Sequence, residues 1–166
     1  MYHEIMAKGE QLRQAMRAWT TGVSVLTTAH EGIRHGMTVN SLASISLDPP
    51  RISVSLQKSS RTHGLVLRSG LFGVTILSAE QEAISRRFAG ETGDDEDRLA
   101  GLDVETLTTG APFIKGGLAY LDCRVVQTID SGASTLFIAE VVEARRISDG
   151  SPLVYHDREY RRLATQ

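Results

Sequence analysis

The chain has 166 residues, of which 41% are hydrophobic and 23% charged, and its formal net charge is −2. These values are typical of one globular domain, here residues 1–166, and they exclude a global attraction to nucleic acid or to an anionic membrane. No apolar run reaches the roughly 20 residues of a membrane-spanning helix, and residues 1–17 lack the apolar centre of a signal peptide. We therefore expect a cytoplasmic protein, which its single cysteine, Cys123, allows.

The first half of the chain is predicted to contain, in order, a helix, a hairpin, a strand, a helix, a strand and a helix. Apolar residues recur at helical spacing in the first segment, and β-branched runs mark the strands. The second helix is capped by Ser59 or Ser60 and ends at Ser69-Gly70. The other predicted bounds are residues 4–19, 23–29 with 33–39, 52–56, 71–77 and 78–88.

The second half is predicted to be mostly strand. Acidic residues run between glycines over residues 90–103, and without calcium-loop spacing they indicate a mobile, solvated loop. Residues 118–129 and 135–147 form a long antiparallel hairpin, and residues 155–163 form a last short strand. Strands without regular strand–helix alternation predict a mainly β fold with peripheral helices, an antiparallel barrel or sandwich.

Short polar side chains concentrate between Gly36 and Pro50. Hydroxyls and one amide are threaded between apolar residues, and the rigid sequence Asp48-Pro49-Pro50 follows. Such groups, beside free backbone N–H groups, suit a planar heterocycle with a phosphorylated tail. Because nothing in the segment binds a metal well or titrates near neutrality, metal or acid–base chemistry is not favoured.

A second polar cluster covers residues 57–62, where a helix is predicted to begin. It contains three hydroxyls and two cations, and a helix N-terminus with neighbouring cations favours phosphate. The same pattern is equally typical of an ordinary helix cap with surface charges. The phosphate interpretation gains from the nearby polar side chains of Thr38, Asn40, Ser41 and Ser44.

The remaining reactive residues do not form a recognisable catalytic or metal-binding set. None of the five histidines is spaced to pair with another as helical metal ligands, so a zinc site is not expected. Cys123 lies within a predicted strand and is interpreted as a packing residue rather than a nucleophile. No nucleophile elbow or glycine-rich phosphate loop is present. An enzyme of this sequence would take its chemistry from a cofactor, and no catalytic residue is assigned.

Eight motifs spread over nearly the whole chain carry a family resemblance. They are Arg17-Ala18-Trp19-Thr20-Thr21-Gly22-Val23, Gly36-Met37-Thr38-Val39-Asn40-Ser41, Ser44-Ile45-Ser46-Leu47-Asp48-Pro49-Pro50, Lys58-Ser59-Ser60-Arg61-Thr62, Phe72-Gly73-Val74-Thr75-Ile76-Leu77, Phe88-Ala89-Gly90, Leu136-Phe137-Ile138-Ala139-Glu140-Val141 and Pro152-Leu153-Val154-Tyr155. With these motifs in this order, the chain resembles the short-chain flavin reductases, which are FMN-binding split-barrel proteins. That family includes the reductase components of two-component flavin monooxygenases.

The resemblance implies an antiparallel split β-barrel of Greek-key type and a homodimer. It also implies bound FMN or FAD, NAD(P)H as the electron donor, and delivery of reduced flavin to a monooxygenase. The flavin-binding positions that it implies are Thr38, Val39, Asn40, Ser41, Ala43, Ser44, Ser55, Leu56, Gln57, Ser59, Thr62 and Phe88.

These implied positions divide by the part of the flavin that they would hold. Polar side chains within residues 38–41 would hydrogen-bond the ring edge and the ribityl chain, and residues 43–44 would approach the ring through their backbone. Residues 55–57 would line the far side, Ser59 and Thr62 with Lys58 would hold the phosphate, and Phe88 would lie near the ring or the nicotinamide.

One motif departs from the family pattern. Relatives usually carry a Gly-Asp-His turn before the Leu-Phe-Ile strand, and its histidine lies beside the nicotinamide. Here that turn is Ser131-Gly132-Ala133-Ser134-Thr135. Hydride transfer depends on stacking and orientation more than on an acid–base group, so a reductase remains the first hypothesis. The alternative is a flavin-binding or electron-transfer protein without catalytic activity on the same fold.

Overall fold

Alternating apolar and polar residues build the protein around antiparallel strands. The computed structural model describes residues 8–164. The twelve strands in this part of the chain are β1 Thr21–Gly22, β2 Ser24–His30, β3 Ile33–Val39, β4 Ala43–Leu47, β5 Pro50–Gln57, β6 Leu71–Ile76, β7 Val104–Thr106, β8 Pro112–Ile114, β9 Ala119–Ser131, β10 Ser134–Arg146, β11 Val154–His156 and β12 Glu159–Arg161.

Short helical segments surround these strands. The α-helices are α1 Gly9–Met16, α2 Arg61–Ser69 and α3 Glu82–Arg86, with a 3-10 turn at Ala79–Gln81 and a π-helical turn at Arg87–Glu91. None of the helices within residues 8–164 is long and apolar enough to cross a membrane.

Seven strands form one antiparallel sheet in the order β3-β2-β6-β9-β10-β5-β4. The β9–β10 hairpin is its longest ladder and runs from the Ser131–Ser134 pair to the Ala119–Arg146 pair, with two register shifts that bend it. No ladder between the described residues joins β3 to β4, so the sheet curls without closing. The mainly β, antiparallel split-barrel prediction is confirmed.

Two apolar cores lie on the two sides of this sheet. The curled side buries Leu26, Val54, Phe72 and Phe137 together with Val66 of α2. The other core contains seven buried residues from the sheet, the segments after it and the π-helical turn: Val23, Val25, Leu77, Phe88, Leu99, Ile114 and Leu153. The second core therefore fixes Phe88 against the sheet, which positions the site described below.

Cys123 belongs to the first core, as expected from its place in a strand. It is fully buried on β9, and burial raises the pKa of its thiol to about 12. A thiol that stays protonated at neutral pH is a poor nucleophile. The interpretation of Cys123 as a packing residue is confirmed.

The predicted hairpin over residues 23–39 and the strands at 52–56 and 71–77 are confirmed, but several bounds are wrong. The first helix ends at Met16 rather than 19, and residues 4–7 of that prediction lie outside the described part of the chain. The predicted helix over 78–88 is broken into 3-10, α and π turns. The prediction lacks β1, β4, β7 and β8, since short strands give too few alternating positions.

The last predicted strand is instead a hairpin of β11 and β12. Asp157 and Arg158 form its two-residue turn with positive φ values of 49° and 64°. Such values suit a two-residue hairpin turn, but they are uncommon outside Gly, Asn and Asp. The turn is held by Arg17, whose carbonyl accepts from the Asp157 N–H and whose side chain pairs with the Asp157 carboxylate.

The acidic segment after the π-helical turn is a loop, as predicted, but its end packs against the protein instead of being solvated. Arg98 and Leu99 at its end are buried. Asp97 accepts the Leu99 N–H at 3.0 Å and pairs with Arg34 of β3 at 3.1 Å. The loop is thus attached to the edge of the sheet, because these contacts fold it back over β3.

Because the middle of the sheet is tightly packed, one added methyl group there should lower the stability of the protein. A Cβ on Gly73 of β6 would lie 2.7 Å from the ring of the buried Phe113. We expect Gly73→Ala to lower the free energy of unfolding in urea by about 1–3 kcal/mol, because this core has no space to accept it.

The matched control is Gly22→Ala in β1, where no atom of the described part of the chain lies within 4 Å of the added Cβ. Its free energy of unfolding should stay within about 0.5 kcal/mol of the parent value. Equal unfolding free energies for the two variants would contradict the packing described for β6.

Candidate functional site

A cavity of about 420 Å³ opens where β3 and the β5–α2 turn meet the π-helical turn and the β11–β12 hairpin. Such a volume is within the range of small-molecule sites, roughly 300–1,000 Å³. Its apolar lining comes from Val23, Val39, Phe88 and the two tyrosines of the hairpin, Tyr155 and Tyr160. Its polar lining includes Thr38, Asn40, Gln57, Ser59 and Ser60.

Phe88 is held against β3 by a glycine and an arginine. A Cβ on Gly36 would lie 2.8 Å from the Leu26 carbonyl and 3.1 Å from the Phe88 ring, so only glycine allows this contact. The Arg98 guanidinium donates from Nη1 to the carbonyls of Gly36 at 3.0 Å and Phe88 at 3.2 Å. Its Nε donates to the Thr92 carbonyl at 3.0 Å. One buried side chain thus ties this wall to the sheet.

The opposite wall is fixed by a chain of hydroxyl contacts. Thr38 donates its hydroxyl to the Ser85 carbonyl at 2.6 Å, and the Ser85 hydroxyl lies 2.7 Å from that of Tyr160. The Arg86 guanidinium covers the Tyr160 ring at 4.9 Å from its centroid. These contacts join β3, α3 and β12, so the aromatic side of the cavity keeps its shape.

The polar end of the cavity lies at the N-terminus of α2. Ser60 caps the helix by accepting the His63 N–H at 3.2 Å and donating to the Gln57 carbonyl at 2.9 Å. The Arg61 N–H, one of the first in the helix, donates to the Asp94 carboxylate at 3.0 Å. The N-terminal N–H groups carry partial positive charge, so this end of the cavity favours an anion.

A buried histidine lies behind the start of α2. The Nδ1 of His35 is 2.8 Å from the hydroxyl of the buried Thr62, and its Nε2 has no hydrogen-bond partner among the described residues. Burial and the positive charge of Arg98 lower the pKa of His35. The ring is therefore neutral at pH 7. Because Nε2 faces the Asp94 carboxylate at 3.7 Å, we assign the tautomer with the proton on Nε2, which leaves Nδ1 to accept the Thr62 hydroxyl.

The structure brings half of the sequence-predicted site residues together. The residues that line the cavity are Thr38, Val39, Asn40, Gln57, Ser59 and Phe88. The side chains of Leu56 and Thr62 are fully buried, Leu56 in the first core and Thr62 against His35.

The other predicted positions lie outside the cavity, on or beside β4. The Ser41 hydroxyl both accepts from the N–H of Ser55 and donates to its carbonyl, at 3.1 and 3.0 Å. Ala43 pairs with Ser53 and Ser44 with Ile52, and both are exposed on the edge strand. These positions reach the surface next to the cavity rather than its interior.

Several lining residues were not anticipated from sequence. Asp94 and Arg98 come from the acidic loop, and Tyr155 and Tyr160 come from the final hairpin. The only signal for Arg98 was a lone cation followed by leucine at the end of an acidic run. Because a single arginine in a charged loop is normally solvated, that signal did not indicate a buried role.

Comparisons with known proteins agree with this architecture. The flavin reductase-like domain matches residues 16–164. The NADH-dependent flavin reductase StyB of Pseudomonas fluorescens is 43% identical over 130 residues, which cover 78% of this chain and 74% of StyB. The FMN reductase (NADH) SmoA of Agrobacterium fabrum is 38% identical over 169 residues, which cover 99% of this chain and 93% of SmoA.

A solved structure extends the likeness to three dimensions. The styrene monooxygenase flavin reductase SMOB from Pseudomonas putida S12 superposes with a TM-score of 0.82 at 36% identity. The match covers 93% of this chain and 99% of that one. With a domain match over most of the chain and relatives that share more than a third of its residues, this chain belongs to the flavin reductase-like domain family.

Proposed function

We propose that the protein transfers a hydride from NADH to FMN or FAD and releases the reduced flavin to a monooxygenase. The observation that carries the proposal is the cavity itself, which joins an aromatic and apolar interior to an anion-favouring end at α2. Relatives of this chain are named as an NADH-dependent flavin reductase and an FMN reductase (NADH), which supports the same activity for this protein. The flavin supplies the redox chemistry when bound, because it accepts the hydride of the nicotinamide.

The residues present fit a flavin nucleotide. Apolar and aromatic side chains offer a surface for a planar ring, and Thr38, Asn40 and Gln57 offer donors and acceptors along it. The α2 N-terminus and the unpaired Nε2 of the buried His35 offer donors to a phosphate. No group that titrates near neutrality is needed, since the chain only binds and orients the reactants.

The proposed flavin-binding set follows from this arrangement. Residues 38–40 would contact the ring edge and ribityl chain, Ser41 would lie at the rim of the cavity, and Ser59 with the first turn of α2 would hold the phosphate. Thr62 would act through His35, because its own hydroxyl contacts the His35 ring at 2.8 Å. The exposed Ala43 and Ser44 of β4 would contribute at the rim, together with the partly buried Ser55 and the backbone of Leu56 on the adjoining strand β5.

The turn that lacks the family histidine lies beside this cavity. The Lys58 N–H donates to the Ala133 carbonyl at 2.9 Å, and Ser134 pairs with Gln57. The residue at this place can therefore influence the rim without taking part in proton transfer.

The relatives are named as NADH-dependent reductases, which favours a reductase over the electron-carrier alternative. Use of a nicotinamide nucleotide as the electron donor also supports a cytoplasmic location.

A homodimer is the second part of the proposal, supported by an apolar outer face. On the side of the sheet away from the first core, Leu136 pairs with Ile129 and Ser55, and Ile138 lies two residues further along β10. Ile129 of this group is 41% exposed. Apolar side chains grouped on one face of a sheet are typical of an interface.

Light scattering tests the dimer. We expect twice the 18.1 kDa mass of one chain, and we expect Leu136→Lys to give the single-chain mass because a charge would be buried in the interface. Ile33→Lys, at the exposed first position of β3, is the control and should stay dimeric. A single-chain mass for the parent protein would contradict the dimer.

Steady-state oxidation of NADH tests the activity. Purified protein with NADH and FMN should consume NADH, seen as loss of its near-ultraviolet absorbance, in proportion to enzyme, and reduced flavin should then transfer its electrons to dissolved oxygen. Protein that binds FMN but leaves NADH unconsumed would instead favour the electron carrier. Protein that binds no flavin would contradict both hypotheses.

A variant of the cavity separates the site from the fold in the same assay. Asn40→Ala removes a polar side chain from the lining and should raise the KM for FMN about ten-fold, the usual effect of losing one or two hydrogen bonds. Thr128→Ala on the exposed part of β9 is the control and should leave KM unchanged. An unchanged KM for Asn40→Ala would contradict the placement of Asn40 in the site.

A further inference from the structure

The acidic loop places a carboxylate where the proposed function places a phosphate. Asp94 Oδ2 accepts the Arg61 N–H of the first turn of α2 at 3.0 Å, and the Arg61 side chain donates to the Asp94 carbonyl at 3.3 Å. Asp94 lines the same cavity as Ser59 and Ser60. A carboxylate at a helix N-terminus makes the interactions that a phosphate would make there.

A buried cation, Arg98, and a buried polar ring, His35, both lie close to the Asp94 carboxylate. Asp94 Oδ1 lies 3.5 Å from Nη2 of Arg98 and 3.7 Å from Nε2 of His35. Arg98 is 6% exposed and His35 is fully buried, and within residues 8–164 this Nε2 makes no hydrogen bond. A desolvated polar nitrogen is costly unless it is hydrogen-bonded. With the proton on Nε2, His35 is a buried donor whose nearest anion, Asp94, lies beyond hydrogen-bond distance, and an anion that approaches more closely than Asp94 would satisfy it.

We propose that Asp94 is an internal competitor for the flavin phosphate. The inference rests on the proposed function. In the flavin-free protein Asp94 neutralises the start of α2, and a phosphorylated flavin binds only after this carboxylate has moved aside. The competition lowers affinity for phosphorylated flavins selectively, because an unphosphorylated flavin leaves the carboxylate in place. It also favours release, since Asp94 returns as the reduced flavin leaves for its acceptor.

The loop is arranged so that Asp94 can leave while the cavity wall stays in place. The Asp94 side chain is half exposed, and Gly90, with φ of 120°, and Gly93 precede it in the chain. Arg98 keeps its hydrogen bonds to the carbonyls of Gly36, Phe88 and Thr92, none of which involves Asp94. Movement of the loop between Gly93 and Asp97 thus leaves Phe88 where it is.

Other charged groups near the site do not share this role. Asp97 pairs with Arg34 on the outside of β3, and Lys58 pairs with Asp130 of the β9–β10 hairpin. Asp95 lies next to Asp94 and is exposed. Asp95 therefore serves as a control for the general effect of removing one negative charge from the loop.

Flavin fluorescence titrations with FMN and with riboflavin test the inference. Asp94→Asn keeps an acceptor for the Arg61 N–H but removes the charge, so the Kd for FMN should fall about ten-fold while the Kd for riboflavin changes less than about two-fold. Asp94→Ala, which removes the acceptor as well, should lower the Kd for FMN at least as much. Asp95→Asn should change neither.

The outcomes that overturn the inference are distinct from failure of the proposed function. An unchanged or higher Kd for FMN in both Asp94 variants means that Asp94 does not compete with phosphate. Equal tightening for riboflavin means that the loop blocks the whole cavity instead, and equal tightening by Asp95→Asn means that only net charge matters. If the parent protein binds neither FMN nor riboflavin, the proposed function itself fails, and this inference fails with it.

Discussion

The buried guanidinium of Arg98 is the interaction on which the site depends. It donates to three backbone carbonyls, those of Gly36 on β3, Phe88 on the π-helical turn and Thr92 on the acidic loop. Burying a charge is expensive unless its hydrogen bonds are made, so these three segments must come together for the cost to be offset. The arginine thereby joins the open edge of the sheet to the wall that carries Phe88.

The other features of the cavity follow from this junction. Gly36 is needed because the ring of Phe88 leaves no space for a Cβ on β3. The sheet is open between β3 and β4, so the end of β3 and the β5–α2 turn can border a cavity rather than a closed ladder. The start of α2 forms the anion-favouring end of the cavity, and Phe88 packs in the second core. An aromatic interior and an anion end are thus parts of one packed unit.

The sequence predicts the parts of the fold that depend on local patterns. The hairpin of β2 and β3, the alternating strand β5, the capped helix α2 and the long β9–β10 hairpin all have clear periodicity and turn residues. β4 has only five residues and a register shift between Ser44 and Ser46, so its pattern is lost. The final hairpin turns at Asp157 and Arg158, whose left-handed backbone depends on contacts with the distant Arg17.

The site was predictable to the same extent and for the same reason. Thr38 and Asn40 were found because they lie on a polar segment with its own signature. Ser41 lies in the connection between β3 and β4, where its hydroxyl pairs with the Ser55 backbone, and Ser55 alternates with the buried Val54 and Leu56, so its side chain points away from the core. Asp94 and Arg98 reach the cavity through tertiary contacts alone, which no local pattern encodes.

The central claim is that the cavity between β3, the start of α2 and Phe88 binds the flavin. A crystal structure of the protein soaked with FMN tests it most directly. We expect the phosphate within hydrogen-bond distance of the first N–H groups of α2, with the Asp94 carboxylate displaced and the ring inside the cavity bordered by Asn40 and Phe88. Flavin density at any other place, with this cavity unchanged, would contradict the account.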